Sequence, residues 1–318
     1  MQCRICGNTD QPRTYIAKEM MLGLRDEHDY FECSHCGCLQ IAEIPADLAR
    51  YYPPATYYSY SATKNANPLK QALIKQRDQY AVMGNSLLGQ ALQAISPNDK
   101  LASLRPLNLN LEMRILDIGC GAGHLLHALR DVGFQNLLGL DPFNQADLDY
   151  PNGLRVEKRD IFSETGLWDV IMFHHSLEHV PDQQAHLKQA FNLLKPNGQL
   201  LVRVPTVSSY AWQHYGVNWV QLDAPRHLYL HSIQSLHHLA EQCGFKVEQY
   251  IYDSNAFQFW GSEQYQQGIP LRDAKSYADN PSNSLFSEQD IKQFAQRSQQ
   301  LNLEKQGDQV AFYLRKGA

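Results

Sequence analysis

No run of 18 or more apolar residues occurs in the 318-residue chain, so no segment reads as a membrane-spanning helix. The first ten residues, MQCRICGNTD, lack the basic-then-apolar layout of a secretory signal. Basic charge is scarce as well. Against 33 Asp and Glu stand 28 Lys and Arg, a formal net charge of −5, and no long block of one sign appears. A nucleic-acid partner, which needs a basic face, is therefore not expected. Internal repeats and long low-complexity tracts are also missing. With 43% hydrophobic and 19% charged residues, the composition leads us to expect a cytoplasmic globular protein, with room for a full α/β domain and one or two smaller units.

Cysteine is sparse except at the start, where five of the seven fall within the first 38 residues. Without an export signal, such clustering points to metal ligation rather than disulfides. Cys3-x-x-Cys6 and Cys33-x-x-Cys36 are 26 residues apart, each pair followed by glycine. Two such knuckles bring four thiolates into a tetrahedron around a structural Zn²⁺. Residues 1–45 are thus expected to form a small zinc ribbon. The first 50 residues hold five Lys/Arg and eight Asp/Glu, a net −3, which is the wrong sign for a phosphate backbone. A role in folding or in covering an active site is favoured over nucleic-acid reading.

Residues 46–110 open with YYPPATYYSYS and read as a Tyr-rich and helical connector or lid. From 111 onward, strands and helices alternate: ILDIG, LLGLD, LRVEKRD, WDVIMFHH, QLLVRVP and KVEQYIY as strands, with amphipathic helices between them. Such alternation implies a mostly parallel sheet with helices on both faces. Ligands bind beyond the carboxyl ends of such strands, where Asp117, Asp141, Asp160 and His174–His175 all fall. In RILDIGCGAGHLL, glycines at 119, 121 and 123 follow Asp117. A dinucleotide fingerprint would need glycine at 124, where His124 stands. A short glycine loop with an acid at its entrance suits a ligand with a positively charged amino-acid end. Asp141, twenty residues after Gly121, is placed to hold a ribose.

LDIGCGAGHLL, the acid of GLDP, KRDIF, DVIMFHHSLEHVPD and LKPNGQLLVRVP resemble, in order, the successive motifs of class I S-adenosylmethionine-dependent methyltransferases, over roughly residues 112–252. The resemblance implies a seven-stranded Rossmann-like sheet with helices on both faces. Its last strand would run antiparallel, with VAFYLRK at 310–316 as the candidate, and 254–308 would be an insertion in a core spanning 111–318. It also implies S-adenosylmethionine as cofactor. Gly119, Gly121 and Gly123 would line its methionine part, with His174 also on the cofactor side. Asp117 would hold its amino group, Asp141 its ribose, and Asp160 with Ile161 its adenine.

An amino-terminal ribbon followed by a tyrosine cluster is similar to the subgroup that methylates sugars in polysaccharide and deoxysugar pathways. This implies a nucleotide-linked or glycan sugar as acceptor, methylated on carbon or oxygen. Tyr51, Tyr52, Tyr57, Tyr58 and Tyr60 lie within ten residues, and Tyr57 and Tyr60 are candidates for the acceptor pocket. WVQLDAPRHLYLHS, 219–232, resembles the family's substrate-side loop. Within it His227 is the first candidate for general base, because imidazole titrates near neutrality; His179 and Glu178 follow. HHSLEHV matches the E-x-x-E-H motif of quinone-type O-methyltransferases, but His175 replaces the first glutamate. A catalytic metal is therefore not expected. An RNA methyltransferase with a zinc ribbon and a non-catalytic zinc-bearing protein are the alternatives, and a homodimer is left open.

Overall fold

A computed structural model describes residues 1–53 and 67–317. Tyr57, Tyr58 and Tyr60 lie outside the described residues.

The amino-terminal region forms three short antiparallel strands, β1 (Arg13–Lys18), β2 (Glu27–Glu32) and β3 (Leu39–Ile41). Helices α1 (Pro68–Met83), α2 (Leu87–Ile95) and α3 (Asp99–Ala102) follow. Then come β4 (Ile115–Ile118), α4 (His124–Val132), β5 (Leu137–Leu140), β6 (Leu148–Asp149), β7 (Arg155–Glu157), β8 (Trp168–His174), α5 (Gln183–Leu193) and β9 (Leu194–Pro205). After α6 (Tyr210–Tyr215), a two-residue strand β10 (Tyr229–Leu230) leads to α7 (Ile233–Gln242) and β11 (Phe245–Tyr252). Helices α8 (Phe257–Gln266) and α9 (Glu288–Leu303) occupy the expected insertion before β12 (Gln309–Lys316) closes the chain.

Among the described residues the main sheet has eight strands in the order β11-β12-β9-β8-β4-β5-β7-β6. Seven were expected; the addition is β6, antiparallel to β7 at the sheet edge. Two residues are too few to leave a period-two signal, which is why sequence periodicity does not find it. The pairs β9-β8-β4-β5-β7 run parallel, while β12 lies antiparallel between β9 and β11.

Alternation along the central strands sends side chains into two cores. Leu116 and Ile118 of β4, Ile171 and Phe173 of β8, and Phe312 of β12 join one cluster; Ile115, Val170, Met172 and Tyr313 join the other. The second core is roofed by α1 and by Leu126, Leu129 and Val132 of α4, the apolar stripe read from that helix's spacing. The first core runs on without a break into Cys3, Ile5, Tyr30, Cys33, Cys36 and Leu39 of the amino-terminal strands. The small sheet is likewise completed from afar, because β10 pairs antiparallel with β3.

Phe312 is wholly buried between its neighbours. Replacing it with alanine removes a large buried ring, and Phe312→Ala is expected to cost about 3–5 kcal/mol of unfolding free energy by urea titration.

Candidate active site

Strand β4 ends at Ile118 and the chain turns sharply. Gly119, Gly121 and Gly123 have φ of 71°, 57° and 75°, a region where a side chain is strained. Space is short as well: a Cβ on Gly119 would stand 2.5 Å from that of Ser176, and one on Gly123 2.7 Å from Val156 Cγ2. The loop is pinned from the next strand end. Gly121 N–H donates to Asp141 Oδ2 at 2.7 Å, and Phe143 N–H to Asp141 Oδ1 at 2.9 Å. Burial pushes the Asp141 carboxyl up, and these backbone donors oppose the shift.

The loop separates two clefts. One, with about 890 Å³ of empty space, is lined by Gly119, Gly121, Asp141, Pro142, Phe143, Asp160, Ile161, Ser176, His179 and Tyr52 among others. Phe143 is 71% exposed, and the Tyr52 ring lies parallel to it at 6.1 Å, so the mouth is walled by flat apolar groups. Asp160 lies on this cleft, and its Oδ1 also accepts from Phe162 N–H and Ser163 N–H, capping a short 3₁₀ turn. The second cleft, across the loop, is lined by Asp117, Gly119, Lys100, His124, His174, His175 and Gln221 among others. Asp117 is 3% exposed and its Oδ1 has no hydrogen-bond partner among the described residues. Burial, then the charge of Asp141, pushes its carboxyl well above the usual range. His174 reaches this second cleft and not the first, with its Nε2 3.4 Å from Ser103 Oγ.

Next to the clefts stands a cluster of buried titratable groups, of which His175 lines both clefts and His179 the first, while Glu178, Asp223 and His227 line neither. His175 closes β8 with φ of 57°; its Nε2 accepts from Arg203 Nη1 at 2.6 Å, and its Nδ1 lies 3.4 Å from Glu178 Oε1. Glu178 is fully buried and neither carboxyl oxygen has a hydrogen-bond partner among the described residues. Burial pushes it up to about 8, so it holds its proton at neutral pH. His179 donates from Nδ1 to the Arg226 carbonyl at 2.9 Å, and the Tyr52 hydroxyl lies 3.1 Å from the same nitrogen. His227 donates from Nδ1 to the Gln221 carbonyl at 2.8 Å. Both imidazoles are therefore held with Nε2 unprotonated, in agreement with burial pushing His227 down and His179 down to about 3. Their rings are 4.7 Å apart. His227 Nε2 lies 4.0 Å from Glu178 Oε1 and 3.9 Å from Asp223 Oδ2. One ligand atom each from Glu178, His179 and His227 lie within 4.8 Å of one another, a spacing that suits a metal ion as well as proton transfer.

The four paired cysteines converge separately. The Sγ atoms of Cys3, Cys6, Cys33 and Cys36 all lie within 4.8 Å of one another, with 3.7 Å between Cys3 and Cys36 and 3.6 Å between Cys6 and Cys33. These are too far apart for disulfides. Gly7 and Gly37 turn each knuckle at positive φ, and each donates its N–H to the carbonyl of the first cysteine of its pair. Gln40 Nε2 approaches Cys3 Sγ at 2.9 Å. Sequence reasoning missed Lys100, Gln221 and Asp223, since a lysine in a connector and polar residues in a loop leave no periodic or spacing signal.

A largely parallel sheet with β12 running antiparallel beside one edge, a glycine loop after its first core strand and an acid at the end of the second define a class I S-adenosylmethionine-dependent methyltransferase. The chain belongs to this family: the model described as "Methyltransferase domain" matches residues 88–250, just over half of it. It is 34% identical over 139 residues to a ubiquinone biosynthesis O-methyltransferase of Azorhizobium caulinodans, covering 39% of this chain and 52% of that one. To the enzyme of the same name from Xanthomonas oryzae pv. oryzae it is 29% identical over 175 residues, covering 47% and 69%. The chain thus spans only about half the length of the first of these relatives. Among solved structures, a SAM-dependent methyltransferase from Archaeoglobus fulgidus aligns with a TM-score of 0.43 at 19% identity, covering 73% of this chain and all of that one.

Gly119→Ala drives a carbon into Ser176 in a strained backbone region, and is expected to lose on the order of 1–3 kcal/mol of stability by urea unfolding.

Proposed function

We propose that this protein transfers the methyl group of S-adenosylmethionine to an oxygen of a small-molecule acceptor. The observation that carries the reading is Asp117, a buried acid with an unpartnered oxygen directly beneath the glycine loop. Such an atom calls for a cation, and the cofactor's ammonium is one. Lys100, across the same cleft, suits its carboxylate. Asp141 already accepts two backbone N–H groups, yet each carboxylate oxygen keeps a lone pair for a ribose hydroxyl. Pro142, Phe143 and Ile161 form an apolar slot for a flat base, with Asp160 at its edge. Gly123 and His174 shape the loop and its far side. When bound, the sulfonium supplies an electrophilic methyl group.

The protein's own part is to place the acceptor in line and to take its proton. His227 is the candidate general base, with His179 beside it. Each is neutral, and each has its tautomer fixed so that Nε2 is free to accept. Glu178, protonated at neutral pH, places no negative charge where the acceptor's own would develop.

The sugar acceptor expected from the tyrosine cluster has no support among the relatives, which are named for ubiquinone biosynthesis, nor have the RNA or non-catalytic readings. The acceptor proposed is accordingly the coarser one, a small molecule bearing a hydroxyl.

The paired cysteines are proposed to hold a structural Zn²⁺. A tetrahedron with Zn–S of about 2.3 Å has S···S edges of about 3.8 Å, close to the 3.6 and 3.7 Å separations here. Purified protein is expected to carry one zinc per chain by elemental analysis, and Cys36→Ser to lose it.

Calorimetric titration with S-adenosylmethionine tests the cofactor. Binding is expected for the intact protein and not for Asp141→Ala; no binding by either would sink the reading. Proton linkage gives a sharper check. In the free protein Asp117 titrates above its usual range, and the arriving ammonium lowers it, so binding releases a proton between the two values. Affinity is then expected to rise with pH across that window, with a binding heat that depends on the buffer. In Asp117→Asn both dependences should vanish. Transfer of labelled methyl to a panel of catechols, phenols and sugars then identifies the acceptor.

A further inference from the structure

The loop that carries His227 belongs to the core by sequence, yet its contacts run to the amino-terminal domain. Arg226, fully buried, directs Nη2 to Glu19 Oε1 at 3.1 Å and to Asp223 Oδ1 at 2.5 Å, while Nη1 donates to the Tyr51 carbonyl at 3.3 Å. Glu19 is itself fully buried and prepared for this contact: Leu22 N–H and Leu24 N–H donate to its two oxygens at 2.8 and 2.9 Å. One residue on, the carbonyl of His227 accepts from the Tyr30 hydroxyl at 2.8 Å. Two residues further, Tyr229 and Leu230 pair with β3. The backbone on both sides of the His227 side chain is thereby fixed by residues about 175 to 207 positions earlier in the chain. Because the carbonyl of Arg226 also holds His179 Nδ1, the same clamp orients both imidazoles.

We infer that Glu19 and Tyr30 are positioning residues for methyl transfer, and that the cysteine-bearing domain is part of the active site by holding the loop on which His227 and the Arg226 carbonyl sit. The inference rests on the reading that these imidazoles serve the acceptor. Neither Glu19 nor Tyr30 lines the cofactor cleft, so their loss acts through histidine geometry and leaves cofactor binding alone. A displacement of about 1 Å at a reacting group lowers turnover by about 100-fold.

The test uses the full-length, zinc-loaded protein with ¹⁵N-labelled histidine, the His227 and His179 signals being assigned through His227→Gln and His179→Gln. Long-range ¹⁵N–¹H spectra are expected to show both rings as single Nδ1–H tautomers in the parent protein. In Glu19→Gln and Tyr30→Phe the His227 ring should lose that single-tautomer pattern, with the dissociation constant for S-adenosylmethionine unchanged. Turnover of the acceptor returned by the labelled-methyl panel should fall by about 100-fold in Glu19→Gln. A merely structural contribution would lower the melting temperature and leave the tautomers intact; that result in folded variants overturns the inference. If Glu19→Gln does not fold, as judged by cofactor binding, Tyr30→Phe decides alone, since it removes one hydroxyl and keeps the ring. Should His227→Gln turn over acceptor as well as the parent, the base assignment fails, and the tautomer comparison still decides the positioning.

Discussion

A fully buried guanidinium is the constraint around which the rest of the molecule is arranged. Taking a charge out of water is costly unless it is paired and its hydrogen bonds are met, and removing one partner of such a pair typically costs about 3–5 kcal/mol. Arg226 meets its needs from two remote parts of the chain, Glu19 in the loop after β1 and the Tyr51 carbonyl at the end of the amino-terminal region, and from Asp223 three residues before it. The energetic argument alone does not make the ion pair better than an apolar plug of the same volume. What it adds is direction, because the donors of one guanidinium meet acceptors from Glu19, Tyr51 and Asp223 at once.

The glycine loop is governed by a different constraint, that of the backbone. Three residues with positive φ within five positions let the chain turn from strand to helix, with the N–H groups of Gly119, Gly121 and Gly123 bonded to Leu140, Asp141 and Cys120. Asp141 keeps that turn in shape from the neighbouring strand end, so the two elements are mutually dependent. The clefts on either side of the loop differ in character, one walled by aromatic and apolar groups, the other by Asp117, Lys100 and histidines. A ligand that is flat and apolar at one end and zwitterionic at the other matches that division.

Much of this was legible in the order of residues. The glycine spacing, the acids at successive strand ends and the cysteine pairs are local signals, each carried within a few positions, and they locate the sheet, the strand ends that border the two clefts and the four converging thiols. What escaped is what depends on distance or brevity. Strand β6 is two residues long. The pairing of β10 with β3 joins positions nearly two hundred apart, and the link from Glu19 to Arg226 spans 207. No pattern within a window can report such contacts. His174 and His175 show a subtler limit: both stand at the end of one strand, but the left-handed turn at His175 sends the two rings to different neighbours.

The ends of the main sheet have a consequence of their own. An open edge strand offers unpaired backbone groups on which another chain can build. On one side the edge is β6, two residues long, with Asp147, Asp149 and Arg155 forming ion pairs around it. On the other it is β11, broken by a register shift between Val247 and Gln249 and carrying exposed Lys246 and Glu248. Neither gives an incoming strand a straight, uncharged template. An eight-stranded sheet of this kind is thereby guarded against growing into a ninth, a safeguard against aggregation.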